Sequence, residues 1–262
     1  MKLNIYQIDA FAKKPFEGNP AAVVPLLQWL PDNIMQAIAE ENNLAETAFF
    51  VPSNNGFAIR WFTPKKEIAL CGHATLAAAF VLNQYLNYSQ DVVEFESQSG
   101  VLRVRKLNND YQLDFPNQPP RKCDIPPVLV EALGAKPSAC YAAEDLIAVF
   151  ENEQQIQDIN PDEKLLAQLP LRGVIVTSAA KDYDFVARFF APKYGIPEDP
   201  VTGSAYTQLT PYWANRLDKT ELSAKQLSKR GGELHCALND ERVMITGSAV
   251  SYMVGEITLS EC

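Results

Sequence analysis

Phe57-Ala58-Ile59-Arg60-Trp61-Phe62-Thr63-Pro64 returns later in the chain as Phe185-Val186-Ala187-Arg188-Phe189-Phe190-Ala191-Pro192. Each copy reads as a strand and ends at a proline, which cannot donate to a sheet ladder. Beyond each proline lies a loop and then a small-residue helix start. These starts are Gly72-His73-Ala74-Thr75 and Gly203-Ser204-Ala205-Tyr206. A strand, a loop and a helix recur in the same order, which predicts a duplicated fold of two related halves facing each other. Ligand sites often lie at such interfaces.

Outward from the first copy, residues 3–8 alternate as a strand. Pro31-Asp32 opens a helix through about Glu41, with Ile34, Ala37 and Ile38 on one face, and Asn42-Asn43 breaks it. Strands are expected over 45–51, 92–95, 101–106 and 111–115, and 72–82 reads as an Ala-rich buried helix. Asn117-Gln118-Pro119-Pro120-Arg121 reads as a linker. Beyond it, helices are expected over 128–133, 162–169 and 204–216, and strands over 174–177, 185–190 and most of 222–259.

The 262 residues are 47% hydrophobic and 21% charged, ample for a sizeable core. The net charge of −9 repels phosphate backbones and anionic membranes, so neither nucleic acid nor a membrane is an expected partner. A small acidic substrate stays open, because a local site can oppose the global charge. The five cysteines are odd in number and none are spaced C-x-x-C, which suggests neither a disulfide framework nor a zinc site. Met1 to Asp9 reads as a strand and not a signal peptide, no apolar run is long enough to span a membrane, and a cytoplasmic location is expected.

Helix starts at Gly72 and Gly203 would present unpaired N–H groups and partial positive charge, suited to a carboxylate. Taken singly, each reads more simply as a plain helix start; the carboxylate reading rests on the symmetric pair. His73, at the first, is expected to be neutral because the helix dipole disfavours its charged form. His235 sits in a strand-like run and is expected to face solvent. Glu46 is an acid in the apolar run Leu44-Ala45-Glu46-Thr47-Ala48-Phe49-Phe50. In a dry cleft it would suit proton transfer, whereas on the outer face of a strand it would be merely solvated. Asp199 precedes Pro200 and reads either as an acid of the site or as a turn initiator. Cys71 reads as a thiol nucleophile beside His73 or as a small buried residue. No G-x-S-x-G, G-x-x-x-x-G-K-[ST] or G-x-G-x-x-G motif occurs.

Several ordered pieces carry a resemblance. They are Asp9-Ala10-Phe11, Gly18-Asn19-Pro20-Ala21-Ala22-Val23, Asn43-Leu44-Ala45-Glu46-Thr47-Ala48-Phe49, Arg60-Trp61-Phe62-Thr63-Pro64 and Leu70-Cys71-Gly72-His73-Ala74-Thr75. Asp184-Phe185, Arg188-Phe189-Phe190-Ala191-Pro192, Glu198-Asp199-Pro200-Val201-Thr202-Gly203-Ser204-Ala205 and Arg230-Gly231-Gly232-Glu233 follow. Together they span nearly the whole chain and resemble the PhzF-like (phenazine biosynthesis-like) family of the diaminopimelate-epimerase-like fold. The resemblance implies an α+β fold of two pseudo-symmetric halves, each a mixed, mostly antiparallel sheet curled round a central helix. Residues 1–118 would form the first half, joined by a returning strand at about 250–262, and 119–249 the second.

The resemblance also implies a cofactor-independent, metal-free isomerase, dimeric, in which Glu46 moves a proton between carbons of a small unsaturated or amino carboxylate. His73 and Asp199 would assist, and Asn19, Gly72, Thr75, Thr202, Gly203 and Ser204 would hold the substrate. Epimerase relatives use one cysteine from each half. Here Cys71 falls near the first position and Pro200 near the second, which disfavours a two-thiol mechanism. Two other readings are a silent carboxylate-binding or regulatory protein on the same fold, and a thiol hydrolase using Cys71 and His73.

Overall fold

A computed structural model of the chain describes residues 1–259. It forms two compact units, Met1–Asp114 with the chain from Thr246 onward, and Phe115–Ile245. In chain order the first unit holds β1 (Lys2–Ala10), β2 (Asn19–Pro25), α1 (Asp32–Asn42), β3 (Glu46–Ser53), β4 (Gly56–Phe62) and β5 (Glu67–Ile68). It continues with α2 (Gly72–Tyr85), β6 (Val92–Ser97), β7 (Gly100–Leu107) and most of β8 (Asp110–Pro116). The second holds β9 (Arg121–Cys123), α3 (Pro127–Leu133), β10 (Ala139–Ala142), β11 (Leu146–Val149), α4 (Glu153–Asp158) and α5 (Glu163–Leu166). After these come β12 (Val174–Ala179), β13 (Phe185–Ala191), β14 (Ile196–Asp199), α6 (Gly203–Leu217), β15 (Glu221–Gln226) and β16 (Gly232–Asn239). The last strand, β17 (Arg242–Thr258), starts in the second unit and runs into the first.

In the first unit β1 pairs antiparallel with β2, β2 parallel with β3, β3 antiparallel with β4, and β4 parallel with β6. β6, β7 and β8 follow as an antiparallel meander. β17 pairs with β8 and, antiparallel, with β1, so the strands close into a ring. A closed ring leaves no long unpaired edge. α2 touches β1, β2, β3 and β7 and buries every residue from His73 to Ala79. A helix apolar on all sides has to be enclosed, and Ala77-Ala78-Ala79 lets the strands come close. β3 is buried on both faces. Phe49 and Val51 pack with Met35 and Ile38 of α1, so by the strand's period of two Glu46, Ala48 and Phe50 turn to the opposite face.

The second unit repeats the scheme. β10 is antiparallel to β11, β11 parallel to β12, β12 antiparallel to β13, β13 parallel to β15, and β15 antiparallel to β16. α6 is the counterpart of α2 and is buried from Ala205 to Ala214. Inside α6, Pro211 removes the N–H that would reach the Thr207 carbonyl. The backbone N–H of Gln118 donates to that carbonyl instead, at 2.9 Å, so it is not left unpaired.

The repeat holds in side-chain chemistry too. Arg60 donates through Nε and Nη2 to Glu67 at 2.7 and 2.7 Å, and its guanidinium lies 5.1 Å over the Phe62 ring. Arg188 donates the same way to Glu198 at 2.7 and 3.0 Å and lies 4.9 Å over Phe190. The expected pseudo-duplicated α+β fold is what the chain adopts. One expected helix is shorter than its apolar pattern: of residues 162–169 only Glu163–Leu166 is helical. Asp162 caps it by accepting from the N–H groups of Lys164 and Leu165. Among the described residues no helix is long and apolar enough to cross a membrane.

Candidate active site

Glu46 is the first residue of β3 and faces α2, whose first turn carries His73. Both are buried, at 7% and 5% exposure, which removes the reading of Glu46 as a solvated outward residue. His73 Nε2 lies 3.0 Å from Glu46 Oε2, yet neither atom has a well-aligned hydrogen bond. On the other side of the ring, Nδ1 is 3.3 Å from the Asn19 amide and 3.6 Å from Cys71 Sγ. Asn19 is placed by the turn before β2. There Gly18 has φ +63°, and an added Cβ would sit 2.1 Å from the Ala10 carbonyl oxygen. Only glycine fits at that point. Thr75 is fully buried, and its hydroxyl donates to the Cys71 carbonyl at 2.5 Å, which ties down the first turn of α2.

Electrostatics correct the expectation of a neutral His73. Burial works against its charge, but the neighbouring Cys71 and Glu46 outweigh that effect and hold its pKa well above the ordinary histidine value. The imidazolium needs an acceptor at each ring nitrogen. Glu46 lies at one, and the Asn19 amide, turned to present its oxygen, would serve the other. Cys71 moves the opposite way from an activated thiol. Burial, and then the charge of Glu46, push its pKa up despite the helix start.

Glu46, Cys71 and His73 each bring one donor atom within 4.8 Å of the others, a set that could hold a metal ion. However, Cys71 and Glu46 approach different nitrogens of one ring.

Asp199 ends β14 in the second unit, and Thr202 and Ser204 flank the start of α6. The Thr202 hydroxyl donates to Asp199 Oδ2 at 2.5 Å. Gln226 fastens this loop: it accepts from the Thr202 N–H at 3.0 Å and donates to the Asp199 carbonyl at 2.7 Å. Gly203 is buried and Ser204 half-buried. His235 is exposed on β16, as expected. Between Asp199 and Ser204 the second unit has no cysteine, so no second thiol stands at the start of α6.

Sequence reasoning missed Arg172, Asp145 and Gln208. Arg172 donates to the fully buried Asp145 through Nε at 2.9 Å and Nη2 at 2.6 Å, and to Ser204 Oγ through Nη2 at 3.1 Å. The signal lay in the repeat. Phe49 pairs with Arg60 and Val176 with Arg188, so stepping back three residues matches Glu46 to Gly173, one place after Arg172.

Comparison with known proteins agrees with this architecture. A family model for phenazine biosynthesis-like proteins (PhzC-PhzF) matches residues 8–255. An uncharacterized isomerase of Pseudomonas aeruginosa is 49% identical over 259 residues, covering 99% of this chain and 100% of that protein. A second, from Halalkalibacterium halodurans, is 42% identical over 99% of this chain and 100% of its own length. The crystal structure of a PhzF-family protein from Enterococcus faecalis superposes with a TM-score of 0.97 at 49% identity, over 99% of this chain and 100% of that one. At the level of fold alone, a hydroxyproline epimerase from Agrobacterium vitis matches with a TM-score of 0.64 at 11% identity, over 99% of this chain and 93% of that one. With its duplicated α+β halves, its Glu46–His73 pair and these matches along nearly its whole length, the chain belongs to the phenazine biosynthesis-like (PhzF) family.

Proposed function

We propose that this chain is a cofactor-independent isomerase that moves a proton between two carbons of a small unsaturated or amino carboxylate, with Glu46 as the general acid/base. Relatives named as isomerases and epimerase-fold neighbours support an isomerase-type enzyme. The observation that carries the finer reading is the buried Glu46–His73 pair, with Oε2 and Nε2 close but not aligned on each other. Polar atoms left so in a dry site are costly unless a ligand uses them. In the cycle, Glu46 takes a proton from one carbon, and the electron pair shifts along the unsaturated system. Glu46 then returns the proton to another carbon, so nothing is gained or lost. The His73 imidazolium donates a hydrogen bond to the charge that develops in between.

Asn19, Cys71 and Thr75 serve this pair by holding His73 and the start of α2. In the second unit, Asp199, Thr202, the Gly203 backbone and Ser204 are assigned to substrate binding, with Asp199 also handling protons. Gly173, the counterpart of Glu46, has no side chain, and a Cβ there would meet the Phe189 ring at 2.6 Å. The second unit therefore offers no acid at that position, which favours one carboxylate acting twice over a two-base epimerase. The subunit arrangement that goes with this reading is a homodimer.

The test is incubation in heavy water with a pool of small cellular carboxylates, read by chromatography and mass spectrometry. Wild type should place deuterium in one metabolite or produce an unlabelled isomer, and Glu46→Gln should do neither. If wild type yields neither label nor a new isomer, the chain is instead a silent carboxylate-binding protein.

A further inference from the structure

We infer that Arg172 is a positioning residue that fixes Ser204 as a hydrogen-bond donor toward a carboxylate of the substrate. This rests on the reading above, in which Ser204 meets the substrate. A guanidinium has only donors. At 3.1 Å from Arg172 Nη2, Ser204 Oγ is therefore the acceptor. Its own proton must then point elsewhere, and among the described residues no acceptor takes it. Ser204 is half-buried at the second position of a 15-residue helix, where backbone N–H groups have no intrahelical partner. A hydroxyl set to donate, beside such N–H groups, suits a carboxylate, which is acceptor-only, better than a neutral amide, whose NH2 is itself a donor.

Arg172 is itself held on several sides. Asp145 accepts two of its hydrogens at 2.9 and 2.6 Å, and Glu144 lies 3.1 Å from Nη1. The guanidinium is 5.4 Å from the centre of the Phe189 ring. Gln208, one turn beyond Ser204 on α6, donates to Asp145 Oδ2 at 2.7 Å and accepts from the Asp145 N–H at 3.0 Å. Glu144 and Asp145 both pair with the charge of Arg172, at 3.1 and 2.6 Å. Its contribution is therefore orientation and not net attraction.

The repeat gives the arrangement its meaning. The first unit sets an acid against an imidazole, Glu46 and His73. At the corresponding positions the second unit has Gly173, filled over by Phe189, and Ser204, with the adjacent Arg172 reaching the serine. One copy of the motif keeps a proton-transfer pair and the other a donor pair.

The experiment titrates wild type and variants with benzoate and with its neutral analogue benzamide, by isothermal calorimetry. Wild type should prefer benzoate. Ser204→Ala and Arg172→Lys should each weaken benzoate about tenfold, as for loss of one hydrogen bond to a charged group, and weaken benzamide distinctly less, as for a neutral one. Combining them should cost no more than either alone, because both remove one interaction. Arg172→Gln with Asp145→Asn leaves no unpaired buried charge and should behave like Ser204→Ala, which separates positioning from damage to the fold. Equal binding of benzoate and benzamide by wild type overturns the inference. So do Arg172 variants that bind like wild type, or additive losses in the double variant. An Arg172-dependent preference for benzoate, without isotope exchange, would keep this inference and sink the isomerase. Exchange that depends on Glu46 but ignores Arg172 would do the reverse.

Discussion

On His73 two opposing effects meet: burial disfavours its charge, while Cys71 and Glu46 favour it and prevail. The folded state therefore binds this proton more tightly than the unfolded chain, whose histidine titrates near 6.5. The resulting stability is fully present below that pH and is lost as pH rises through the higher folded value. Urea denaturation of wild type and His73→Gln between about pH 6 and about pH 9 should show the wild-type advantage shrinking as pH rises. A gap that stays constant would mean that His73 keeps the same affinity for its proton in both states. Glu46 and His73 were legible as candidates, but their state was not. Alternation could not tell whether Glu46 faced in or out, because β3 is buried on both sides. The helix dipole alone argued for a neutral His73, and the carboxylate 3.0 Å away reverses that.

Among the elements, the turn from β1 to β2 carries the most demanding geometry. Gly18→Ala would drive a methyl group against the Ala10 carbonyl oxygen at a positive φ, and Asn19 would lose its place beside His73. A loss on the order of 2–4 kcal/mol in urea unfolding is expected, the range for strain at a special backbone position. An alanine variant as stable as wild type would mean that the turn relaxes freely. Most helices and long strands were readable from period and punctuation. β2 was not, because Pro20 and Pro25 bracket its short apolar run and read as loop signals. β10 and β11 have four residues each, too few for a period to declare itself. The apolar pattern over 162–169 outran the helix, since the residues after α5 bury Leu169 from a turn.

For the whole molecule, the duplication was the most readable feature, because strand pairing, the arginine–glutamate forks and the helix starts all follow the eight-residue repeat. Arg172 escaped because the repeat was followed forward from its strand and not backward into the one before. The ring of the first unit was beyond reach of local pattern, since its closure depends on β17 meeting β1, Lys2 opposite Thr258 and Ala10 opposite Ala249. A chain cut after Ile245 should leave β1 and β8 without their shared neighbour. It should be insoluble or lack cooperative unfolding, and a soluble, cooperative product would show that the ring tolerates a gap. This closure also sets an order of events during synthesis. As the chain leaves the ribosome, residues 1–114 emerge first but lack the strand that completes them until residues 115–245 have followed. The later-born unit has nearly all its parts first, while the earlier one waits as an open sheet with sticky edges. The nascent chain would therefore be most exposed to aggregation midway through translation, when chaperones that cover exposed strands matter most, and slower elongation would lengthen that wait.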